Sequence, residues 1–301
     1  MKKTYLPIYI VLAVLVAGFI IGSFYDFQIN DALFSTKDTF GLVISVIGTV
    51  PGYGVLAFLG GGFLYLGLKN KVPHIAWRIV LFVVTAACAF CSVFFMGREF
   101  FGPNGFDYLG ISRSWGYLIA IPPSVGLGFL GYFMTQKSEY DKLWLVYLIL
   151  ALAILIALVP GITLFKSIFH RPRFRSLGQY GLDFHSWWNP CKDYDWYLKQ
   201  GIIDEEFKSF PSGHAGTCAV FMTSALFLPY INKKYEKASY IVAGIGLAWL
   251  LLVSFARMRV GAHFLSDVSF GALLCNIILF FAKIVIDNVK YFSQSQQSEN
   301  E

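Results

Sequence analysis

The chain has 301 residues, of which 56% are hydrophobic and only 14% charged. Soluble domains carry about 25% charged residues, so an ordinary cytosolic fold is excluded. The formal charge of +6 is dispersed, with no dense basic block, and is not a nucleic-acid signal.

Eight uncharged or nearly uncharged runs approach the roughly 20 apolar residues that span a bilayer. In chain order they are Tyr5–Phe24, Phe40–Leu68, Ile79–Met96, Gly116–Met134, Leu143–Phe165, Ala215–Ile231, Ser239–Ala256 and Val268–Ile286. The length of the first and its poor cleavage context point to an uncleaved anchor rather than a signal peptide. The second is long and Gly-rich, so a tilt or a break near Pro51 is expected. The fourth holds Pro122-Pro123 and is expected to kink. The last contains Lys283, whose stem can snorkel to the interface. The predicted fold is all-α, a polytopic transmembrane helix bundle.

Basic residues in short loops set the orientation. With Met1-Lys2-Lys3 inside, the inner loops carry Lys69 and Lys71, then Lys137 and Lys142, then Lys233, Lys234 and Lys237, and Lys290 follows the last helix. The outer segment 166–214 is also rich in cations, which breaks the rule unless those cations have another task. Cysteines and glycines add little. Cys88 and Cys91 form a CxxC inside an apolar span and read as packing residues, and no disulfide framework is implied. The Gly60–Gly62 run and Gly244-Ile245-Gly246 lack a strand–turn–helix setting and read as helix packing.

The outer ends of the spans are where charge meets membrane. After the fifth run come Lys166, Arg171, Arg173 and Arg175; before the sixth comes Pro211-Ser212-Gly213-His214; after the seventh come Arg257, Arg259, His263 and Asp267. Ionisable residues in such places are functional candidates by default. Pro-Ser-Gly-His has a chance occurrence on the order of one in a thousand from average residue usage.

Phosphate chemistry asks for these residue types. A tetrahedral anion wants several fixed cations; arginine offers a planar fork and lysine a point charge. Pro172 disfavours helix at Arg171, so the chain is expected to break there and curl over the site. Ser212 and Gly213 sit at a helix start, where free N–H groups and the dipole form an anion cradle. His263 and Asp267 are four apart; on one helix face the carboxylate would accept a ring N–H and leave the other nitrogen free to attack phosphorus. His214 is placed to protonate the leaving oxygen. Milder roles are expected elsewhere: His74, His170 and His185 as ordinary surface or interface residues, Arg98 and Arg175 as headgroup contacts, and Arg259 as either a site residue or a headgroup contact.

The three clusters resemble the signature of the type-2 phosphatidic acid phosphatase family, relatives of glucose-6-phosphatase, bacterial acid phosphatases and vanadium haloperoxidases. The family pattern is Lys-x6-Arg-Pro, Pro-Ser-Gly-His and Ser-Arg-x5-His-x3-Asp. Lys166 and Arg173 match the first part, Pro211–His214 the second, and Arg257, His263 and Asp267 the third. Phe174 and Ala256 depart from it, and neither position is a phosphate ligand, proton donor or nucleophile.

The resemblance implies a nucleophile His263, supported by Asp267, with His214 as general acid. Lys166, Arg173, Arg257 and the Ser212 and Gly213 amides would hold the phosphate, with no metal and no cofactor. It also implies a six-helix phosphatase core in 75–289, after an N-terminal extension of about two spans in 1–74 and before a polar cytoplasmic tail, 290–301. The expected activity is hydrolysis of a phosphomonoester or pyrophosphate of a lipid drawn from the bilayer, at the extracytoplasmic face of the cell membrane. Phosphatidate, phosphatidylglycerol phosphate, a polyprenyl pyrophosphate, a glycolipid phosphate or a sugar phosphate stay open as substrates. A lipid phosphotransferase using the same phosphohistidine is the alternative within enzymes, and an anion or lipid transporter is the alternative outside them. Membrane lipids are expected partners and nucleic acid is not. Trp187, Trp188 and Trp196 in 183–197 suit an interfacial belt, and this segment is expected to cap the pocket.

Overall fold

In a computed structural model of the chain, residues 6–288 are described, save 37, 103, 104, 107, 108, 110 and 139. The basic N-terminus, Lys290 and the polar tail fall outside the described residues. Every regular element among the described residues is helical, and eight helical segments are long and apolar enough to cross a membrane. The chain is an all-α, multi-pass membrane bundle.

The membrane helices are α1 (Leu6–Leu33), α2 (Thr39–Ile47) continued by α3 (Val50–Leu68), α4 (Ile75–Phe100) and α5 (Ser114–Thr135). Next comes α6 (Leu143–Ile156), which passes through a π-helical turn at Ala157–Thr163 into α7 (Leu164–Phe169). Two short helices, α8 (Phe174–Tyr180) and α9 (Tyr194–Lys199), lie in the following connection. The bundle closes with α10 (Gly213–Ser224), the short α11 (Leu228–Ile231), α12 (Glu236–Arg259) and α13 (Leu265–Asn288).

The expected break near Pro51 falls between Ile47 and Val50, with Pro51 in the first turn of α3, where its missing N–H costs no hydrogen bond. Helix α5 runs on through Pro122 and Pro123. Two helices are longer than their apolar runs. Helix α1 extends past Phe24 through Asp26 and Asn30, whose side chains find buried partners, and α4 extends to include Glu99.

Small residues set the spacing, because van der Waals contact between helices in lipid rewards close backbones. A Cβ on Gly61 would meet the Gly128 carbonyl, and one on Gly131 the Phe58 carbonyl, so α3 and α5 touch backbone to backbone. Gly18 and Gly22 bring α1 against Ser269 and Ser266 of α13 in the same way. Helix α10 is the hub, packed against α3, α12 and α13. The described residues before 75 are thus folded into the bundle through α1 and α3. All five cysteines are free, and Cys88 is buried as a packing residue.

Gly61→Val is expected to destabilise the detergent-solubilised bundle by about 1–3 kcal/mol through overpacking. Gly126→Val, where an added Cβ meets nothing within 4 Å, should change stability by less than about 0.5 kcal/mol. Equal melting shifts for the two in a thermal unfolding assay would contradict this packing.

Candidate active site

Four helix ends and two turns converge on one cavity of about 1180 Å³, lined at its polar end by Lys166, Arg173, Gly213, His214, Arg257 and His263. Of the residues expected to act, Ser212 and Asp267 do not line it.

Helix α7 stops at Phe169 and His170 turns into the left-handed region (φ 41°), so the chain breaks where Pro172 required. Lys166 Nζ donates to the Lys208 carbonyl at 2.7 Å. Arg173 is held on three sides: Nε to the Glu205 carbonyl and Nη1 to the Ala262 carbonyl, both at 2.8 Å, and Nη2 to Glu205 Oε1 at 2.6 Å. Arg257, in the last turn of α12, differs. It is 1% exposed, and none of its three guanidinium nitrogens has a hydrogen-bond partner. A buried donor left in that state demands an anion.

His263 sits in the turn between α12 and α13, which requires the left-handed backbone of Gly261 (φ 65°). Its Nδ1 is 2.6 Å from the Ser209 carbonyl. A carbonyl only accepts, so Nδ1 carries the proton and Nε2 keeps its lone pair. Burial, with the charges of Arg173, Arg257 and Lys166, pushes this imidazole well below the usual histidine range. That shift favours the neutral ring, with the Nε2 lone pair free.

Two expectations need correction. Asp267 does not hold His263 directly: Oδ2 is 3.8 Å from Nδ1, because His263 precedes the helix that carries Asp267 and the two do not share a helical face. Asp267 instead accepts from Arg171 Nη1 and Ser209 Oγ, both at 2.5 Å, and from the Phe264 amide at 2.8 Å. It braces both the segment at Ser209 and the His263 turn. The Ser212 amide is likewise not free for phosphate, since it donates to the Asp267 carbonyl at 2.9 Å. That contact exists because Gly271 lets α13 approach Ser212 too closely for any Cβ. Ser212 Oγ caps α10 by accepting from the Ala215 amide, which leaves Gly213 as the cradle residue facing the cavity.

His214 opens α10 with Nε2 unbonded and 3.6 Å from Glu99 Oε2 of α4. Glu99 was not expected. Nor were Asp26 and Asn30 of α1, described below. The signal for all three was a polar residue at the frayed edge of an apolar run. Arg98, Arg175 and Arg259 are engaged by Glu99, Glu206 and Asp38 at 3.1, 2.6 and 2.6 Å, rather than left for headgroups alone. His170 stacks on Tyr194, and His185 meets the Asn189 carbonyl. None of the three tryptophans lines the cavity. Trp187 packs on Phe19 and Phe210 and donates to Ser23 Oγ, and Tyr194 is the lining residue of 183–197.

The family model for the PAP2 superfamily matches residues 142–291, which hold all eight expected site residues. The chain carries a PAP2 superfamily domain. Phosphatidylglycerophosphatase B of Bacillus subtilis (strain 168) is 35% identical over 98 residues, covering 31% of this chain and 46% of the relative. The chain thus matches less than half the length of that curated relative. No solved structure matches. Within the PAP2 domain lie Lys166, Arg171, Arg173, His214, Arg257 and His263; Asp26, Asn30 and Glu99 come from outside it. Among the described residues no three His, Cys, Asp or Glu side chains form a metal-ligating group.

Orthovanadate binding to purified protein, followed by calorimetry, is expected to weaken about 10- to 100-fold in Arg257→Ala, the value of a hydrogen bond to a charged group. Undiminished binding would contradict an anion site at Arg257.

Proposed function

We propose that this chain is an integral membrane phosphatase that hydrolyses a lipid phosphomonoester or pyrophosphate through a phosphohistidine at His263. The observation that carries the reading is the union of two unlike surfaces in one cavity. Its polar end holds the cations and both histidines. Its other end is an apolar corridor between α4 and α6, bordered by Trp77, Val80, Val84, Leu148, Leu152 and Leu155. From Trp77 to Arg98 the corridor follows α4 for roughly 30 Å at 1.5 Å per residue, about the depth of a hydrocarbon core. An acyl or polyprenyl chain fits such a corridor, and a sugar does not need one.

The chemistry follows from the positions. Lys166, Arg173, Arg257 and the Gly213 amide hold the phosphate oxygens. His263 Nε2 attacks phosphorus, an N–P bond forms, and the P–O bond to the lipid alcohol breaks as His214, charged by a proton taken up beside the anionic phosphate and Glu99, gives that proton to the departing oxygen. Water then attacks the phosphohistidine, His214 takes a proton from it, and inorganic phosphate leaves with His263 neutral again. Asp267 acts on His263 through Ser209 and the turn. The protein's own cations supply the charge stabilisation, so no metal is invoked.

The same reading puts the site on the extracytoplasmic side of the cell membrane, and the helix directions support it. Helix direction sets Lys69, Lys71, Lys137, Lys142 and Lys233 at the opposite end of the bundle from Lys166 and His214, as a basic cytoplasmic face would have them. The name of the Bacillus relative makes phosphatidylglycerol phosphate the first substrate to test.

The test is phosphate release by purified protein in detergent, from phosphatidylglycerol phosphate, phosphatidate, a polyprenyl pyrophosphate and glucose 6-phosphate, with and without EDTA. Release is expected from lipid substrates and to be unchanged by EDTA. Release from the sugar phosphate alone would overturn the lipid assignment, and full loss in EDTA restored by magnesium would overturn the metal-free mechanism.

A further inference from the structure

We propose that α1, which lies outside the PAP2 domain, supplies two positioning residues, Asp26 and Asn30, that hold the His263 turn in its reactive place. The inference rests on the phosphohistidine reading above for what the turn does. The two residues are four apart, so they share one face of α1, and both are buried within 3% exposure.

Asp26 joins the carboxylate network from behind. Its Oδ2 pairs with Arg171 Nη2 at 2.9 Å and accepts from Ser266 Oγ, while Oδ1 accepts from the Ser266 amide at 2.9 Å. Arg171 reaches Asp267 with its other nitrogen and lies over the Phe264 ring at 4.0 Å. One guanidinium therefore bridges two buried carboxylates, one from α1 and one from α13. Without Asp26, Arg171 and Asp267 would lose the partner that fixes their common position. Asn30 grips the turn itself. Its Nδ2 donates to the His263 carbonyl at 2.9 Å and approaches the Met258 carbonyl at 3.4 Å. The chain leaving α1 adds a third hold, the Ser35 amide donating to the Arg259 carbonyl at 2.9 Å. Neither residue lines the cavity, so neither touches substrate.

A nucleophile displaced by about 1 Å can lose on the order of a hundredfold in rate. Asp26→Asn and Asn30→Ala are therefore expected to lower kcat about 10- to 100-fold, with KM and orthovanadate affinity within about threefold of wild type, since the phosphate clamp is built elsewhere. Exposed Asp31→Asn is the control and should match wild type. Asp26→Asn combined with Arg171→Gln should cost little more than either change alone, because both act through one network. Amide exchange at 261–264 should quicken in Asn30→Ala. If Asp26→Asn does not fold, Asn30→Ala, which removes only hydrogen bonds to backbone carbonyls, decides by the same measurements. Folded variants with wild-type kcat, or with KM alone altered, would overturn the proposal. A wild-type chain inactive on every substrate above would overturn the phosphatase reading and this proposal with it; an active wild type indifferent to both substitutions would overturn this proposal alone.

Discussion

One charge imbalance organises the site. Arg257 is buried at the end of α12 with all three guanidinium nitrogens unbonded, beside Arg173 and the half-buried Lys166. Arg173 and Lys166 are steadied by the Glu205 carboxylate and by backbone carbonyls, while Arg257 has no acceptor of its own. Burying such a cation is costly unless an anion completes the site. The break at His170, the N-terminus of α10 and the Gly261 turn all serve to aim groups at the space that anion would fill.

Next to this cluster, in which Arg257 is unpaired, stands a fully hydrogen-bonded one. Arg171 is shared by Asp26 and Asp267, and Ser209, Ser266 and the Phe264 amide satisfy the remaining oxygens. Removing one partner from a buried pair typically costs about 3–5 kcal/mol, so this cluster is stiff. The division is physically sensible: a rigid, satisfied network sits behind His263, and an unsatisfied one faces the cavity. Asp267 belongs to the rigid side, although its spacing from His263 resembled that of a direct partner.

The membrane architecture was legible because a bilayer imposes a length and a composition on every span, and among the described residues each of the eight runs corresponds to one of eight long apolar helical segments. That Lys166, Arg173, Gly213, His214, Arg257 and His263 would meet at one cavity was legible from their short, fixed spacings at the ends of the spans. What could not be read were contacts set by folding over long separations. Ser209 supplies the carbonyl for His263 across 54 residues, and Asp26 reaches Ser266 across 240. Glu99 likewise meets His214 only because α4 ends beside α10. The Ser212 amide looked free because an N-terminal helix turn normally is, and the close approach of Gly271 is invisible in the spacing. Trp187 looked interfacial by type, yet its indole is turned inward to Ser23 of α1.

The central claim is that His263 carries the phosphoryl group as a neutral nucleophile. Rapid alkaline quenching of a turnover mixture containing phosphate-labelled phosphatidylglycerol phosphate, followed by peptide mass spectrometry, measures it directly. The account predicts an alkali-stable, acid-labile phosphate on the peptide containing His263, formed as readily at pH 6 as at pH 7.5, because burial and three neighbouring cations keep that ring unprotonated well below the usual histidine range. Phosphate recovered on another residue, or turnover with no labelled intermediate at either pH, would contradict it.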